Sequence, residues 1–166
     1  MFFSSFYDGS ILIELDKNEL KSTVVWRRIG KDERNTDALH CCMSTPLIMN
    51  DYIFGVDSYG ELRCLDLFTG DRIWEDQTAV KRDRWANIHF VQNGELTYMF
   101  NEHGELITAK LDKSGYHEIS RAKLIEPTTV QLNRRGVGIT WGHPGFAYKH
   151  VFIRSDKELV CADLSE

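Results

Sequence analysis

Several features that mark common classes of protein are scarce or missing in this sequence of 166 residues. No apolar run approaches the roughly 20 residues that a transmembrane helix needs, so no membrane span is expected. The opening MFFSSF is too short for a signal peptide and has no basic segment. Basic side chains are in deficit as well, and the formal net charge of −5 argues against nucleic acid as a partner.

Cysteine is scarce too, with four residues and no CxxC pair, which excludes a disulfide scaffold and the commonest zinc and redox spacings. Histidine spacings of the HxH or HExxH type are missing, and so is the GxSxG turn of serine hydrolases. The sequence therefore predicts no metal ligands and no catalytic residues.

The sequence does contain a repeated strand pattern. The segment ELRCLD at Glu61–Asp66 recurs 44 positions later as Glu105–Lys110 and 53 positions further as Glu158–Asp163. A less regular copy ends at Leu15–Asp16, when that pair is aligned with Leu65–Asp66. Around the copies lie other short alternating segments separated by Gly, Asn or Asp turns, which indicates about four short antiparallel strands per unit.

A repeat of this length, built from strands with no helical periodicity between them, is typical of a β-propeller. A β-sandwich or a closed barrel would not require the same strand sequence to recur at such an interval. We therefore predict an all-β fold, a partial β-propeller of about three and a half to four four-stranded antiparallel blades. The predicted single domain covers residues 1–166, with repeat units at about 1–30, 39–80, 84–126 and 137–166.

The segment CLDLFTGDRIW at Cys64–Trp74 carries a resemblance to a known family. It resembles the tryptophan-docking repeat of the quinoprotein alcohol dehydrogenase-like (PQQ-repeat) propellers, whose pattern is Ala-x-Asp-x-x-Thr-Gly-x-x-x-Trp, and only Cys64 departs from that pattern. Complete members of this family have eight blades, so the resemblance implies that the chain is a C-terminal half. Proteins of this family are often exported, which would suit a periplasmic or exported parent protein, but the residues themselves predict no compartment.

The same segment has a physical interpretation. Gly70 supplies the positive φ of a tight turn, and Asp66 accepts hydrogen bonds from backbone N–H groups of that turn. Trp74 follows on the outer strand, where its ring covers the gap between neighbouring blades. Cys64 and Cys161 occupy equivalent positions of two repeats and are predicted to be small buried core residues.

The adjacent residues Cys41 and Cys42 are the candidate cofactor contacts. In the quinoprotein dehydrogenases that the chain resembles, a disulfide between adjacent cysteines packs on pyrroloquinoline quinone (PQQ), and acidic and amide side chains hold a calcium ion. No such acidic cluster is recognisable here, which favours a noncatalytic propeller without a cofactor. Such a propeller is a scaffold for a protein or peptide partner, similar in type to the propeller lipoprotein of outer-membrane protein assembly. The alternative is a fragment of a PQQ-dependent dehydrogenase.

A candidate binding site lies at the rim of the central channel. Several imidazole and indole side chains lie on segments that enter the first strands of the predicted blades, and first strands line the channel of a propeller. These candidate rim residues are His40, Trp85, His89, Trp141 and His143. The polar run Gly30–Asp37 lengthens one link between units and is interpreted as a surface loop, with partner binding as the alternative.

The predicted strand count leaves the ring incomplete. The first unit begins at its second strand and the last unit ends at its third, so strand edges and blade faces are left unpaired at both ends. We expect the missing half of the propeller or a second copy of the chain to cover them. Self-association is expected through Phe3–Ile13 and Val151–Leu164.

Overall fold

The computed structural model describes residues 1–130 and 138–165, and every element in these ranges is a β-strand. The predicted all-β class is therefore confirmed. Residues 137 and 166, which bound the fourth predicted unit, lie outside the described residues. None of the described elements is an apolar helix long enough to cross a membrane.

Most of the strands form four antiparallel sheets, which we number as blades 1 to 4 along the chain. Blade 1 contains β1 (Phe2–Ser5), β2 (Gly9–Leu15) and β3 (Ser22–Arg28). Blade 2 contains β4 (Leu47–Met49), β5 (Tyr52–Val56), β6 (Leu62–Asp66) and β7 (Arg72–Asp76). Blade 3 contains β8 (Ile88–Asn93), β9 (Leu96–Asn101), β10 (Glu105–Asp112) and β11 (Gly115–Lys123). A short ribbon of β12 (Thr129–Val130) and β13 (Gly138–Ile139) precedes blade 4, which contains β14 (Gly145–Ala147), β15 (His150–Arg154) and β16 (Leu159–Asp163).

The equivalent strands β2, β6 and β10 each contain a β-bulge, which gives blades 1, 2 and 3 a common register. The bulges follow Leu12, Cys64 and Thr108. Leu12 is therefore equivalent to Cys64, and Ile13 to Leu65. At the turn, however, Asp16 takes the place of Asp66, as predicted from the sequence, because each N–H donates to the carbonyl five residues later and each Oδ1 accepts from the N–H groups two and three residues later. β2 is therefore two residues longer than β6 between its bulge and the turn.

One cluster of buried side chains lies at each junction between neighbouring blades. We call the face of a blade that packs on the next blade its leading face, and the opposite face its trailing face. At the junction of blades 2 and 3, the leading-face residues Phe54, Leu62 and Cys64 are fully buried. They pack with the trailing-face residues Met99 and Ile107 of blade 3, which are also fully buried.

At two of these junctions, a tryptophan on the outer strand of one blade donates a hydrogen bond to the next blade. The Trp26 indole N–H donates to the Leu67 carbonyl at 2.9 Å, and the Trp74 indole N–H donates to the Asp112 carbonyl at 2.8 Å. Trp26 is 9% exposed, whereas Trp74 is partly buried. The predicted place of Trp74 at a blade junction is confirmed, and Trp26 has the same role with greater burial.

The predicted burial of two equivalent cysteines holds for one of them. Cys64 is fully buried, as expected. Cys161 is exposed, so the prediction for it is wrong. The reason is that Cys161 lies on the leading face of blade 4, which none of the described residues covers.

Gly70 combines a positive φ with a close approach to the ring of Trp26. Its φ is +72°, and a Cβ at this position would lie 2.8 Å from Cε3 of Trp26. Gly94, in the turn between β8 and β9, has a similar φ of +62° but open space around it. A substitution at Gly94 therefore tests the cost of the positive φ alone, whereas one at Gly70 also tests the contact with the Trp26 ring.

We expect Gly94→Ala to lower the free energy of unfolding by about 1 kcal/mol, the typical cost of a left-handed conformation for alanine. Gly70→Ala is expected to cost about 2–4 kcal/mol, because the added methyl group must also displace the Trp26 ring. Urea titrations followed by tryptophan fluorescence measure both values. Equal losses in the two variants would contradict the contact between Gly70 and the ring.

Candidate functional site

The predicted rim residues lie at one end of the blades, which we call the upper end. It is the end at which the first strand of a complete blade begins and the second strand turns into the third. The structure divides the five residues into two groups. His40 and Trp85 lie around Phe6 of blade 1, whereas His89, Trp141 and His143 lie at the junction of blades 3 and 4.

His40 has a structural role in this arrangement. It is 1% exposed, its Nε2 accepts a hydrogen bond from the Gly30 N–H at 3.1 Å, and its Nδ1 lies 2.9 Å from the Phe6 carbonyl. Because the Gly30 N–H can only donate, the proton of the neutral ring is on Nδ1, which donates to Phe6. With both nitrogens engaged, His40 ties blade 1 to the link before blade 2 and leaves no nitrogen for a ligand.

Two imidazoles are stacked at the junction of blades 3 and 4. The ring centroids of His89 and His143 are 3.8 Å apart, and the ring planes are inclined by 38°. His89 is 4% exposed, and its Nε2 lies 3.1 Å from both the Trp141 carbonyl and Nδ2 of Asn87. Its Nδ1 is buried without a hydrogen-bond partner among the described residues.

This environment keeps His89 neutral. Burial lowers the pKa of His89 to about 4, with the neighbouring His143 acting in the same direction and the hydrogen bond to the Trp141 carbonyl opposing it. A neutral ring donates to that carbonyl from Nε2. The Trp141 indole N–H donates to Oε2 of Glu102 at 3.0 Å, which ties the group to blade 3. These three rim residues therefore form a polar junction between blades.

The Cys41 and Cys42 side chains do not form the surface that a PQQ ring would need. The Cys41 side chain is 3% exposed, whereas the Cys42 side chain is exposed. Sγ of Cys41 lies in the core, 3.2 Å from where a Cβ on Gly55 would stand, and burial raises the pKa of its thiol to about 12. Within residues 1–130 and 138–165, no group of three or more His, Cys, Asp or Glu side chains is placed to hold a metal ion. The residues therefore do not fit PQQ with its calcium ion.

A second group at the upper end was not predicted as a group, although Trp85 was a predicted rim residue and Arg34 lies in the loop Gly30–Asp37. It consists of three arginines and three aromatic residues, Arg34, Arg82, Arg84, Phe6, Tyr59 and Trp85, which we call the Arg–aromatic cluster. Cζ of Arg34 and Cζ of Arg82 lie 5.3 Å and 5.9 Å from the centroid of the Tyr59 ring. Nε of Arg34 also donates to the Tyr59 hydroxyl at 2.9 Å.

The other half of the cluster surrounds Arg84. Its Cζ lies 4.6 Å from the ring centroid of Trp85 and 5.4 Å from that of Phe6. Trp85 has a φ of +65°, which is uncommon for a bulky residue, and its N–H donates to the Ser58 carbonyl at 2.8 Å. The loop Gly30–Asp37, interpreted from the sequence as surface, contributes Arg34 to this cluster.

A buried ion-pair network lies beneath the link that carries His40. Nη1 of Arg63 lies 2.6 Å from Oδ2 of Asp57 and 2.6 Å from the Ala38 carbonyl, and its Nε lies 2.9 Å from Oε2 of Glu75. Arg63 is 4% exposed and Asp57 is 2% exposed. Oδ1 of Asp57 also accepts a hydrogen bond from the His40 N–H at 2.5 Å. The network therefore holds the link at a defined position on blade 2.

Comparison with known proteins finds a solved structure with a similar fold. No protein-family model and no curated protein sequence matches this chain. The crystal structure of BamB from Moraxella catarrhalis is similar, with a TM-score of 0.56 and 13% sequence identity, over 95% of this chain and 43% of that chain. The four blades therefore have the fold of a partial β-propeller and match about half of the BamB propeller. The predicted partial propeller is confirmed, and the chain spans less than half the length of the BamB chain.

The pKa of His89 makes the stability of the polar junction depend on pH. In the unfolded chain His89 takes up a proton near its ordinary pKa of 6.5, whereas in the folded protein it does so only near pH 4. Unfolding is therefore coupled to proton uptake between these values. The contribution of His89 to the free energy of unfolding falls as the pH drops from 6.5 to about 4.

We expect His89→Gln to remove part of the acid destabilisation that the wild type shows in this window. Urea titrations of both proteins at a series of pH values measure the difference. His117→Gln, which removes an exposed histidine of β11, is the matched control. Curves of unfolding free energy against pH that run parallel for the wild type and His89→Gln would contradict the assignment.

Proposed function

We propose that this chain is a noncatalytic propeller scaffold that binds a protein or peptide partner at the upper end of its blades. The observation that carries the proposal is the Arg–aromatic cluster. Tyrosine, tryptophan and arginine are the residues most enriched at the energetic centres of protein interfaces. The cluster brings all three types together on links between blades and a turn of blade 2, where a partner can reach them.

The chemistry of the cluster favours a partner segment with a carboxylate beside an aromatic or apolar side chain. Arg34 is exposed, and Tyr59 and Trp85 are partly exposed. A guanidinium group binds a carboxylate through two parallel hydrogen bonds. Tyr7 is 67% exposed and packs edge-on against Phe6 at 4.8 Å between centroids, so it extends the apolar part of the surface.

The basic character of this surface is local and partly neutralised. The whole chain has a net charge of −5. Arg84 lies 3.2 Å from a carboxylate oxygen of Glu33, and Arg82 lies 3.3 Å from one of Glu61. A carboxylate of the partner competes with these groups for the arginines, so binding is expected to weaken as salt is added.

The cluster is also preorganised by its contacts with the rest of the fold. The Phe6 carbonyl accepts from His40, the Trp85 N–H donates to Ser58, and the Ser58 hydroxyl donates to the Glu33 carbonyl. A surface that is already ordered loses little conformational entropy when a partner binds.

Selection of a random peptide library on the immobilised chain tests the proposal, with affinities of the selected peptides measured by fluorescence anisotropy. We expect the peptides to carry acidic residues, and Arg34→Ala and Tyr59→Ala each to weaken their binding about tenfold or more. Ile119→Ala is the matched control, because Ile119 is 60% exposed on the outer strand of blade 3.

Two outcomes would count against this function. Selected peptides that bind Arg34→Ala and Tyr59→Ala as tightly as the wild type would contradict the assigned surface. Failure to select any peptide from a diverse library would argue against a peptide-binding scaffold.

A further inference from the structure

The leading face of blade 4 is exposed, whereas its counterpart in blade 2 is buried. Phe54, Leu62 and Cys64 of blade 2 are each 0% exposed. Their counterparts in the strand register of blade 4 are Phe152, Leu159 and Cys161. Phe152 is 38% exposed, Leu159 is 72% exposed, and Cys161 is exposed. Blade 4 therefore presents the apolar positions of a blade junction to solvent.

Blade 1 presents the complementary kind of surface, a free trailing face. In blade 2 the trailing-face residues Ile53 and Leu65 are 0% exposed and pack against blade 1. Their counterparts in blade 1 are Met1 and Ile13, which pair through two backbone hydrogen bonds of 2.6 Å and 2.8 Å. Met1 is 59% exposed, and Phe3 beside it is 48% exposed.

One free face is a leading face and the other is a trailing face, and these two kinds of face pack together at every junction within the chain. Each internal junction joins one leading face to one trailing face through apolar side chains. β1 has an unpaired edge on the channel side of blade 1, and β16 has an unpaired edge on the outer side of blade 4, among the described residues. Exposed apolar faces and unpaired strand edges both favour association.

We propose that a second copy of this chain covers both faces, so that two chains form a closed ring with two-fold symmetry. In this ring the leading face of blade 4 of one chain packs on the trailing face of blade 1 of the other, and the symmetry repeats the junction on the opposite side. One chain matches 43% of a complete propeller chain, so two copies supply about the number of blades that one ring needs. The proposal is independent of the Arg–aromatic cluster.

The area of the free faces favours a closed dimer with two junctions over an association through one junction. A face of three or four short strands covers roughly 250–300 Å², from the spacing of strands and the rise per residue. The four faces of a closed dimer therefore remove on the order of 1,000 Å² from water, about the minimum expected of a biological interface. One junction alone buries half of that, and closure makes the second junction intramolecular.

Sedimentation velocity of the full chain over a concentration series tests the proposal. We expect a species of 19.2 kDa to convert, in the micromolar range, into one of twice that mass and no larger. Phe152→Lys and Phe3→Lys should each raise the dissociation constant at least about tenfold, because each variant places a charge in both junctions. Ile119→Lys introduces the same charge at an exposed apolar residue outside both faces and should leave the dimer intact.

Cys161 provides a second readout that needs no substitution. It is exposed in a single chain and lies within the proposed junction, whereas the other exposed cysteine, Cys42, lies at the upper end of the blades. Labelling with a maleimide, followed by mass spectrometry of peptides, should show Cys161 reacting at least about tenfold more slowly as the dimer forms. The rate at Cys42 should not change.

Each contrary result has a defined meaning. A wild type that remains monomeric over the whole series would overturn the proposal and leave the two faces to a different chain. Loss of the dimer in Phe152→Lys but not in Phe3→Lys would show that two like faces meet, and growth beyond the dimer would show an open assembly. Either result excludes the closed ring.

Discussion

Each blade of this chain has two apolar faces, and a neighbouring blade must cover each of them before the sheet is stable in water. The junction of blades 2 and 3 meets this requirement with fully buried residues such as Phe54, Cys64 and Met99. The hydrogen bond from the Trp74 indole to the Asp112 carbonyl then fixes how the outer strands approach each other. At the preceding junction, Gly70 allows the Trp26 ring to lie against the turn. The packing of each blade on its neighbours therefore determines where the links between blades lie.

Several buried polar groups hold the links between blades in place. His40 uses both ring nitrogens to hold the link before blade 2, and the pair of Asp57 and Arg63 anchors the same link from below. At the junction of blades 3 and 4, His89 is buried beside Trp141 instead of being presented to the channel. These groups stabilise the framework, and the Arg–aromatic cluster lies on the surface that the framework supports. The residues of the candidate site thus lie on links and turns, and the strands hold these segments in place.

Local patterns were sufficient for the strands and turns but not for the site. The segment from Cys64 to Trp74 predicted its turn, its outer strand and the place of its tryptophan correctly, because all three depend on residues close together in the chain. The partners Arg34 and Tyr59 are 25 positions apart. Arg34 lies in the link between blades 1 and 2, whereas Tyr59 lies in the turn between β5 and β6. No local periodicity relates such residues, so the sequence identified Trp85 as a candidate and missed the arginines around it. The five predicted rim residues share the upper end but lie in two groups, one around Phe6 and one at the junction of blades 3 and 4.

What the sequence by itself determined is the order and type of the strands, since side-chain alternation and turn residues are properties of a few consecutive positions. What only the tertiary structure decided is burial, because in a stack of blades a face is buried by residues that belong to the next blade. The segments ELRCLD and ELVCAD show this most directly. Cys64 and Cys161 occupy the same position of the same pattern, yet the first is fully buried under blade 3 and the second is exposed at the end of the stack.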